Sequence, residues 1–468
     1  MRLSFREKAS YGIGALGKDM ACGIVNTFLM FYFTDVVGLA PAFLGVLFLV
    51  GRIWDAVNDP MAGWLVDNTH SRHGKFKPWI LAGTISNSIV LLVLFSNPGI
   101  RGAGQYVFFC VIYFLWDITY TLEDISYWSM IPALADDEKE RNTISVIPRI
   151  FAAVGNVSVG TFGLAIVRVM GKTAPNAMPT QAEQSRGFFW LAVFIAVVFL
   201  VTNFITAFNV KEKISVPLER KFKFREIITT IVKNDQLMVV IGSITLYTIA
   251  INLTGSLAIY YFKYDLGNEG LYGKFYFAAG AAQVLAMLLF PALAGKFSRR
   301  KVFIISALMP IAGYAALYAV GRFAGSSIPL MLVSGFILFF GFGFNLVLTS
   351  VMLADTVDYG EFKLGARSES IVFSMQTFMV KVAMAISGCV TGLGLAAFGF
   401  VANRPQSPSA LAGIRILMFV LPIVLLVASL AVYLKGYRLG GSYFEGIKLE
   451  LGKRRTAYAA AQAKAKAD

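Results

Sequence analysis

The chain has 468 residues, of which 57% are hydrophobic and only 15% are charged, well below the roughly 25% of ordinary soluble domains. A mean hydropathy of +0.67 excludes a soluble protein and indicates an integral membrane protein. The net charge of +15 would suit a nucleic-acid partner. However, the cations fall in alternate loops, as the positive-inside rule predicts, so no nucleic-acid partner is expected.

About twelve apolar segments follow one another along the chain, each near or above the roughly 20 residues that cross a bilayer as a helix. They are too long for strands and lack the alternation of an outer-membrane barrel. The sequence therefore predicts an all-α integral membrane protein with twelve transmembrane helices. Their approximate spans are 11–33, 41–66, 78–97, 104–131, 146–170, 187–208, 236–262, 271–296, 302–322, 328–354, 371–401 and 411–435.

A charged stretch near the middle of the chain divides these segments into two groups of six, a plan typical of transporters with a mid-membrane site between two halves. The predicted division is an N-terminal half over 1–208, a central loop over 209–235, a C-terminal half over 236–436 and a basic tail over 437–468. The tail is expected to be solvated and partly disordered or weakly helical. The even helix number and the basic loops predict that both termini are cytoplasmic.

The first predicted helix carries Lys18 and Asp19, and the fifth opens with Arg149. A charged residue at the centre of a spanning helix costs about 2.5–3.5 kcal/mol on insertion scales. Such residues must therefore face protein or a water-filled cavity and pair there.

The second helix contains "GRIWDAVNDPMAGWLV", which brings Arg52, Asp55 and Asp59 into one membrane segment. Asp55, Asn58 and Asp59 stand at i, i+3 and i+4, so their oxygens share one helical face. Converging carboxylate and amide oxygens suit a small cation, or a carboxylate pair that carries a proton. The alternative is that Asp55 or Asp59 only neutralises Arg52 or a nearby lysine.

The fourth helix reads "WDITYTLEDISYWSMIP" and carries one polar and aromatic stripe. At 100° per residue its members lie within roughly 60° of one another; they are Asp117, Tyr120, Thr121, Asp124 and Trp128. Carboxylates accept hydrogen bonds from sugar hydroxyls, and an aromatic face covers the apolar side of a sugar ring. The stripe therefore predicts a sugar site, although aromatic stripes also serve packing. Glu123 points about 100° away and is expected to pair with a cation of a neighbouring helix.

The eleventh helix carries Lys381 in "MQTFMVKVAMA", with no carboxylate in the same helix. Its predicted partner is therefore Asp55, Asp59 or Asp124 in the other half. The alternative, snorkelling to an interface, does not suit a mid-helix position.

Several stretches together resemble a known transporter family. They are "YGIGALGKDMACGIV", "TDVVGLAPAFLGVLFLVGRIWDAVNDPMAGW", "SRHGKFKPWIL" and "ADTVDYGEFKLGARSESIVFSMQTFMVK". They are similar to melibiose permease and its relatives, the glycoside–pentoside–hexuronide:cation symporters of the major facilitator superfamily. The likeness runs from about residue 10 to 450, and "RIWDAVNDP" with "GKFKPW" is its most specific part.

The resemblance implies a monomeric symporter of the bacterial inner membrane, surrounded by lipid, in which Na+, Li+ or H+ entry drives sugar uptake by alternating access. No other cofactor is implied. On the matching positions, the sugar would bind Lys18, Asp19, Tyr120, Asp124, Trp128 and Arg149. The cation would bind Asp55, Asn58, Asp59 and Thr121, with Asp117 and Lys381 beside it.

Charged residues of the basic loops are expected to form ion pairs between the halves that break and remake during gating. These are Arg72, Lys75, Lys77, Arg299, Arg300, Asp358, Glu361 and Arg367.

Four positions depart from the melibiose permease pattern. Asp117 stands for a glycine, which leaves the coupling ion open. Asn26 stands for a tyrosine and Leu346 for a tryptophan, which leaves the substrate open. Ser126 stands for a proline and predicts a straighter fourth helix.

The sequence thus predicts a cation-coupled glycoside symporter, with an α-galactoside such as melibiose as the first candidate substrate. An H+-coupled transporter of a pentoside, a β-glucoside or a hexuronide on the same fold is the alternative. An intramembrane enzyme is the weaker rival, since no nucleophile elbow, histidine cluster or phosphate loop appears in the sequence.

Overall fold

The computed structural model describes residues 3–69, 71, 74–134, 138–174, 179–210, 231–294, 297–323, 327–365 and 369–465. Every regular element in these ranges is a helix. They are α1 (Phe5–Phe31), α2 (Pro41–Asp67), α3 (Lys77–Leu94), α4 (Ala103–Ser129), α5 (Ile131–Leu134), α6 (Glu138–Gly171), α7 (Gln181–Asn209), α8 (Asp235–Tyr260), α9 (Leu271–Ala294), α10 (Arg299–Phe323), α11 (Ile328–Leu364), α12 (Glu369–Ala397), α13 (Pro408–Arg415), α14 (Leu421–Gly436) and α15 (Gly441–Ala465). Short π-helical turns extend α1 over Tyr32–Val37 and α8 over Tyr261–Asp265, and join α13 to α14 over Ile416–Val420.

The predicted all-α membrane architecture is confirmed. Within the described ranges, 11 helices are long and apolar enough to cross a membrane, one fewer than the twelve predicted. Two other described helices are long: α15 belongs to the C-terminal tail and has 25 residues, and α2 has 27 residues and spans about 40 Å at the 1.5 Å rise of an α-helix. Since about 30 Å crosses a bilayer core, α2 has the length of a twelfth span despite its charged residues.

The described helices form two compact units. The first unit holds α1 to α7 together with Gly255–Phe277 and Gly388–Ile414, which are the end of α8, the start of α9, the end of α12 and α13. The second unit holds the start of α8, most of α9, α10, α11, most of α12, α14 and α15.

In the first unit, α1 is buried along most of its length because small residues let its neighbours approach closely. A Cβ added at Gly12 would meet Ile147 of α6 at 2.7 Å, and one added at Gly17 would meet the Phe199 backbone of α7 at 2.8 Å. Small residues at helix contacts are the usual means of packing in membranes. The buried position of α1 is what places its charged residues inside the unit.

A buried ion pair connects the far end of α1 to later parts of the chain within the first unit. Asp35 is fully buried and its Oδ1 lies 2.6 Å from Lys263 Nζ. Tyr264 donates a hydrogen bond to the same carboxylate, and the Asn403 amide donates to the Asp35 carbonyl. Because an uncompensated buried charge is strongly unfavourable, this pair holds Gly255–Phe277 and Gly388–Ile414 on the end of α1.

The backbones of α2 and α12 also approach each other closely within the first unit, at Gly45 and Gly392. A Cβ at Gly392 would lie 2.4 Å from the Pro41 carbonyl oxygen and 2.5 Å from the Gly45 amide nitrogen. Both atoms belong to backbone, so any side chain here would force the helices apart.

In the second unit, the start of the C-terminal tail is folded, so the expectation of a solvated extension is wrong for this part. Phe444, Ile447 and Leu451 of α15 are buried against Tyr359 of α11 and against Leu439, which precedes α15. The three α15 residues stand three or four positions apart, which places them on one face of the helix. The start of the tail therefore contributes a helix with one buried face.

We predict that Gly392→Ala lowers the midpoint of thermal unfolding in detergent, because its Cβ would overlap backbone atoms of α2. Gly63→Ala in α2 is the matched control, since an added Cβ there meets nothing within 4 Å. The control should unfold at or slightly above the wild-type temperature, because alanine favours a helix over glycine by about 1 kcal/mol. Equal midpoints for the two variants would contradict the close approach.

Candidate functional site

The centre of the candidate site is the ammonium of Lys18, which α1 holds inside the first unit. The side chain is only 2% exposed. Its Nζ lies 2.5 Å from Asp124 Oδ1 and 3.4 Å from Asp19 Oδ2, and it donates a hydrogen bond of 3.4 Å to the Tyr120 hydroxyl. One buried cation is therefore shared by two carboxylates and a phenol.

Aromatic rings surround this ammonium on the α4 side. The Nζ of Lys18 lies 5.1 Å from the Trp128 ring centroid and 5.6 Å from that of Tyr120. The Trp128 indole donates a 3.1 Å hydrogen bond to Asp124 Oδ1, and Trp116 stacks on Tyr120 at 5.3 Å. We call Lys18, Asp19, Tyr120, Asp124 and Trp128 the lysine cluster.

The lysine cluster unites five of the six residues expected to bind the sugar. The sixth, Arg149, is exposed in α6, and among the described residues it has no recorded bond to the cluster. Asp124 and Asp19 remain 34% and 24% exposed. Both carboxylate side chains are therefore partly accessible to a ligand, whereas the Lys18 ammonium is not.

The predicted cation residues lie on the facing surfaces of α2 and α4. Asn58 donates a 3.4 Å hydrogen bond to Asp117 Oδ2, which connects the two helices. Asp55 is buried, and its Oδ2 lies 2.9 Å from Arg52 Nη1. In this structure Asp55 therefore pairs with Arg52, as the alternative interpretation of the sequence expected. Thr121 is buried on α4. A cation at Asp55 would compete with the guanidinium of Arg52.

Asp59 is half-buried on α2. Among the described residues, no three histidine, cysteine, aspartate or glutamate side chains come together as metal ligands. Asp55 and Asp117 both lie within electrostatic range of Arg52, and together with the Asn58 amide they form a set of groups that would suit one small monovalent ion or a proton.

The remaining predicted residues lie elsewhere. Lys381 is half-buried in α12, within the second unit. Arg299 pairs with Asp355 of the same unit. Arg72 and Arg367 lie outside the described residues. The other expected gating residues lie at or near the ends of helices: Lys75 just before α3, Lys77 at its start, Arg300 at the start of α10, and Asp358 and Glu361 near the end of α11.

Three of the four positions that depart from the family pattern lie outside the cation residues. Asn26 and Leu346 are exposed. Ser126 is buried, and its hydroxyl donates a 2.7 Å hydrogen bond to the Leu122 carbonyl within an unbroken α4.

The expected ion pair of Glu123 with a cation of a neighbouring helix is not formed among the described residues; the side chain lies only within electrostatic range of Lys18 on α1. This side chain is fully buried and lies against Gly83 of α3, where an added Cβ would meet the Glu123 Cβ at 2.8 Å. Neither carboxyl oxygen has a hydrogen-bond partner among the described residues. Glu123 therefore faces a close contact between α3 and α4 rather than an ion-pair partner.

Two tyrosines beneath the lysine cluster were missed by the sequence analysis. Tyr11 of α1 and Tyr127 of α4 stack with centroids 4.6 Å apart and planes 4° apart. The Tyr11 hydroxyl donates a 2.6 Å hydrogen bond to the Tyr127 carbonyl, and the Tyr127 hydroxyl donates one to the Tyr11 carbonyl. The available signal was the seven-residue spacing between Tyr11 and Lys18, which places both on one face of α1.

Residues 10–440 match the family described as MFS/sugar transport protein. The chain belongs to this family. It is 32% identical to the isoprimeverose transporter of Lactiplantibacillus pentosus over 89% of this chain and 85% of the relative. It is 30% identical to the putative glycoside/cation symporter YagG of Escherichia coli (strain K12) over 97% and 96%. It is 29% identical to the raffinose carrier protein of Pediococcus pentosaceus over 91% and 68%.

Solved structures agree on the fold. The nucleoside transporter NupG superposes with a TM-score of 0.62 at 13% identity, covering 91% of this chain and 99% of that one. A D-xylose-proton symporter superposes with 0.63 at 13% identity, covering 91% and 97%. The family match and the curated relatives, as distinct from these structures, confirm the expected membership among the glycoside–pentoside–hexuronide:cation symporters, and the chain is a multi-pass sugar transporter rather than an enzyme.

We predict that Lys18→Gln lowers the unfolding free energy by on the order of 2 kcal/mol or more, because two carboxylates lose their buried cation. Lys363→Gln is the matched control. It removes an equivalent charge from the pair with Asp235, in which the two side chains are 41% and 49% exposed. Exposed pairs contribute at most about 1 kcal/mol. Equal thermal shifts for the two variants would show that Lys18 is not a buried partner of the carboxylates.

Proposed function

We propose that the chain imports a neutral glycoside together with Na+, Li+ or H+, and that the sugar binds at the lysine cluster. An α-galactoside such as melibiose is the first candidate substrate. The observation that carries this proposal is the buried Lys18 ammonium, which holds two part-exposed carboxylates beside an indole ring. We place the protein in the bacterial inner membrane as a monomer with both termini cytoplasmic.

The lysine cluster suits a sugar for chemical reasons. Asp124 and Asp19 each keep free lone pairs that accept hydrogen bonds from vicinal hydroxyl groups. Trp128 offers a flat apolar face to the C–H side of a sugar ring. Lys18 is already shared by both carboxylates and provides no spare positive charge, which favours a neutral sugar over a hexuronide. The names of the relatives, an isoprimeverose transporter and a raffinose carrier, agree with a glycoside.

The proposed cation site and the lysine cluster lie on the same helix. Asp117 and Asp124 are seven residues apart on α4, about 10 Å at a rise of 1.5 Å per residue. Asn58 connects Asp117 to α2. A cation bound near Asp55 and Asp117 would order α2 against α4 and so improve the position of Asp124 for sugar. Linkage requires that sugar then tightens cation binding by the same factor.

Alternating access provides the transport step. The ion pair of Asp35 with Lys263 and the close approach at Gly392 join helices at the end of α1 remote from its N-terminus. We propose that these contacts separate when the substrate enters from that side. The basic residues of the loops would form the corresponding contacts on the other side.

We predict that Asp124→Asn abolishes binding of the transported sugar by the purified protein. An amide accepts hydrogen bonds at only one of its two terminal atoms, and it lacks the negative charge that pairs with Lys18. Equilibrium binding of radiolabelled melibiose, raffinose, isoprimeverose and lactose would be compared in turn. Asp235→Asn is the control, since it makes the same change in an exposed pair with Lys363. Wild-type affinity in a folded Asp124→Asn protein would place the sugar site elsewhere.

We predict that Asp55→Asn removes the effect of cations on sugar affinity and leaves cation-independent binding in place. Because this change isolates Arg52, the double variant Arg52→Gln/Asp55→Asn is measured alongside it. The sugar dissociation constant would be titrated with Na+, with Li+ and with pH. In the wild type, tightening by Na+ or Li+ would identify a metal-cation site, and tightening by pH alone would identify a proton site. An unaltered cation response in both variants would contradict the assignment.

A further inference from the structure

A basic cavity of about 690 Å³ lies in the second unit, where α10 begins and α14 ends. It shares no residue with the lysine cluster or the proposed cation site. Its wall consists of residues from the start of α10, the end of α14 and the start of α15; they are Phe297, Ser298, Arg299, Arg300, Tyr433, Leu434, Lys435, Tyr437, Arg438, Leu439, Gly440, Gly441, Phe444, Glu445 and Lys448.

The cavity carries an excess of positive charge. Arg299 is compensated, because it pairs with Asp355. The other four cations of the wall are Arg300, Lys435, Arg438 and Lys448, and all are exposed. The wall contains one carboxylate, Glu445, and within the part of the chain that the structure describes none of the four cations forms an ion pair. The ammonium of Lys448 lies 4.6 Å from the Phe444 ring centroid. A cavity in which four cations converge with one anion suits a ligand that carries negative charge.

Two helix N-termini also contribute to this wall. α10 begins at Arg299 and has 25 residues, and α15 begins at Gly441 and also has 25 residues. The first amide groups of a helix have no partner within it, and each helix N-terminus carries about half a positive charge. Gly441 lines the cavity, and its φ of 57° lies in the left-handed region that favours glycine. Phosphate groups commonly bind at such N-termini.

A polar group without a partner supplies an independent observation. Tyr433 is 1% exposed, and its hydroxyl has no hydrogen-bond partner among the described residues. Its ring stacks on Phe303 at 3.9 Å and on Tyr437 at 4.9 Å, so the hydroxyl is held in place. It lies within electrostatic range of Arg299 and Arg300. Buried hydroxyls are nearly always satisfied, which indicates that an acceptor from a ligand completes this one.

We propose that the basic cavity binds the phosphate-bearing headgroup of an anionic phospholipid. Arginine, lysine, two helix N-termini and a tyrosine hydroxyl are the donors that recognise phosphate oxygens. A lipid is favoured over free phosphate because the same wall contains Phe297 and Leu434, apolar side chains that are 41% and 37% exposed. The cavity also lies at the ends of the spans Arg299–Phe323 and Pro408–Gly436, where a headgroup would lie.

The test is native mass spectrometry of the purified full-length protein after removal of lipid. Dioleoylphosphatidylglycerol, dioleoylphosphatidylcholine and inorganic phosphate would be titrated separately. We expect phosphatidylglycerol to bind at least about tenfold more tightly than phosphatidylcholine, because each lysine or arginine near a membrane favours anionic lipid. Equal binding of the two lipids would overturn the proposal. Binding of inorganic phosphate as tight as that of phosphatidylglycerol would overturn the lipid as the ligand and identify a soluble anion.

Variants locate the binding on the protein. Arg300→Gln/Arg438→Gln should weaken phosphatidylglycerol binding about 10- to 30-fold. Lys435→Gln/Lys448→Gln serves the same purpose if the first pair fails to fold. Arg101→Gln/Lys172→Gln is the control, since it removes two exposed charges outside the cavity wall and should leave the affinity unchanged. Equal affinity in all these proteins would overturn the site.

Tyr433→Phe tests the hydroxyl by itself. It keeps the stacking on Phe303 and Tyr437 and removes only the donor without a partner, so binding should weaken several-fold while the unfolding temperature of the lipid-free protein stays the same. An unchanged affinity would show that the hydroxyl does not contact the ligand and would overturn its part in the site.

Discussion

The buried ammonium of Lys18 is the interaction on which the site depends. Its burial follows from the small residues of α1, which allow α6 and α7 to surround that helix. Once inside, the ammonium must be compensated, and Asp124 lies 2.5 Å away. This contact sets the register of α1 against α4. Tyr11 and Tyr127 exchange hydrogen bonds further along the same pair of helices and support that register.

The position of α4 then governs both proposed binding sites. Its stripe meets α1 through Asp124 and meets α2 through the bond between Asp117 and Asn58. A ligand that changes either contact acts on the same helix, so coupling between sugar and cation needs no long pathway. Arg52 adds competition, because it occupies the carboxylate of Asp55, which a cation would otherwise hold.

Several buried charges elsewhere follow the same constraint, and two carboxylates, Glu123 and Glu269, are buried without an ion pair among the described residues. Asp35 and Lys263 compensate each other within the first unit, and Arg299 and Asp355 do so within the second. Glu123 is fully buried without a partner among the described residues. In contrast, four of the five cations in the wall of the basic cavity are exposed and have no ion pair among the described residues, which is why they point to a ligand rather than to packing.

Composition and residue spacing determined much of this protein. Long apolar segments must be helices in lipid because the backbone has no other hydrogen-bond partners there, and that fixed the fold class. The 100° turn of a helix placed Tyr120, Asp124 and Trp128 on one face, and the structure brings them together around Lys18. These are local properties that follow from the geometry of a single helix.

Only the tertiary structure decided which helices meet. The exchange of bonds between Tyr11 and Tyr127, the pair of Asp35 with Lys263 and the approach of Gly45 to Gly392 join residues more than 100 positions apart, and no periodicity within one segment encodes them. The folded start of the tail was not predicted from the sequence either, since Phe444, Ile447 and Leu451 of α15 are buried only because α11 and Leu439 offer them an apolar surface. A helical pattern defines the face that is buried, whereas the partner of that face depends on the packing of the whole chain.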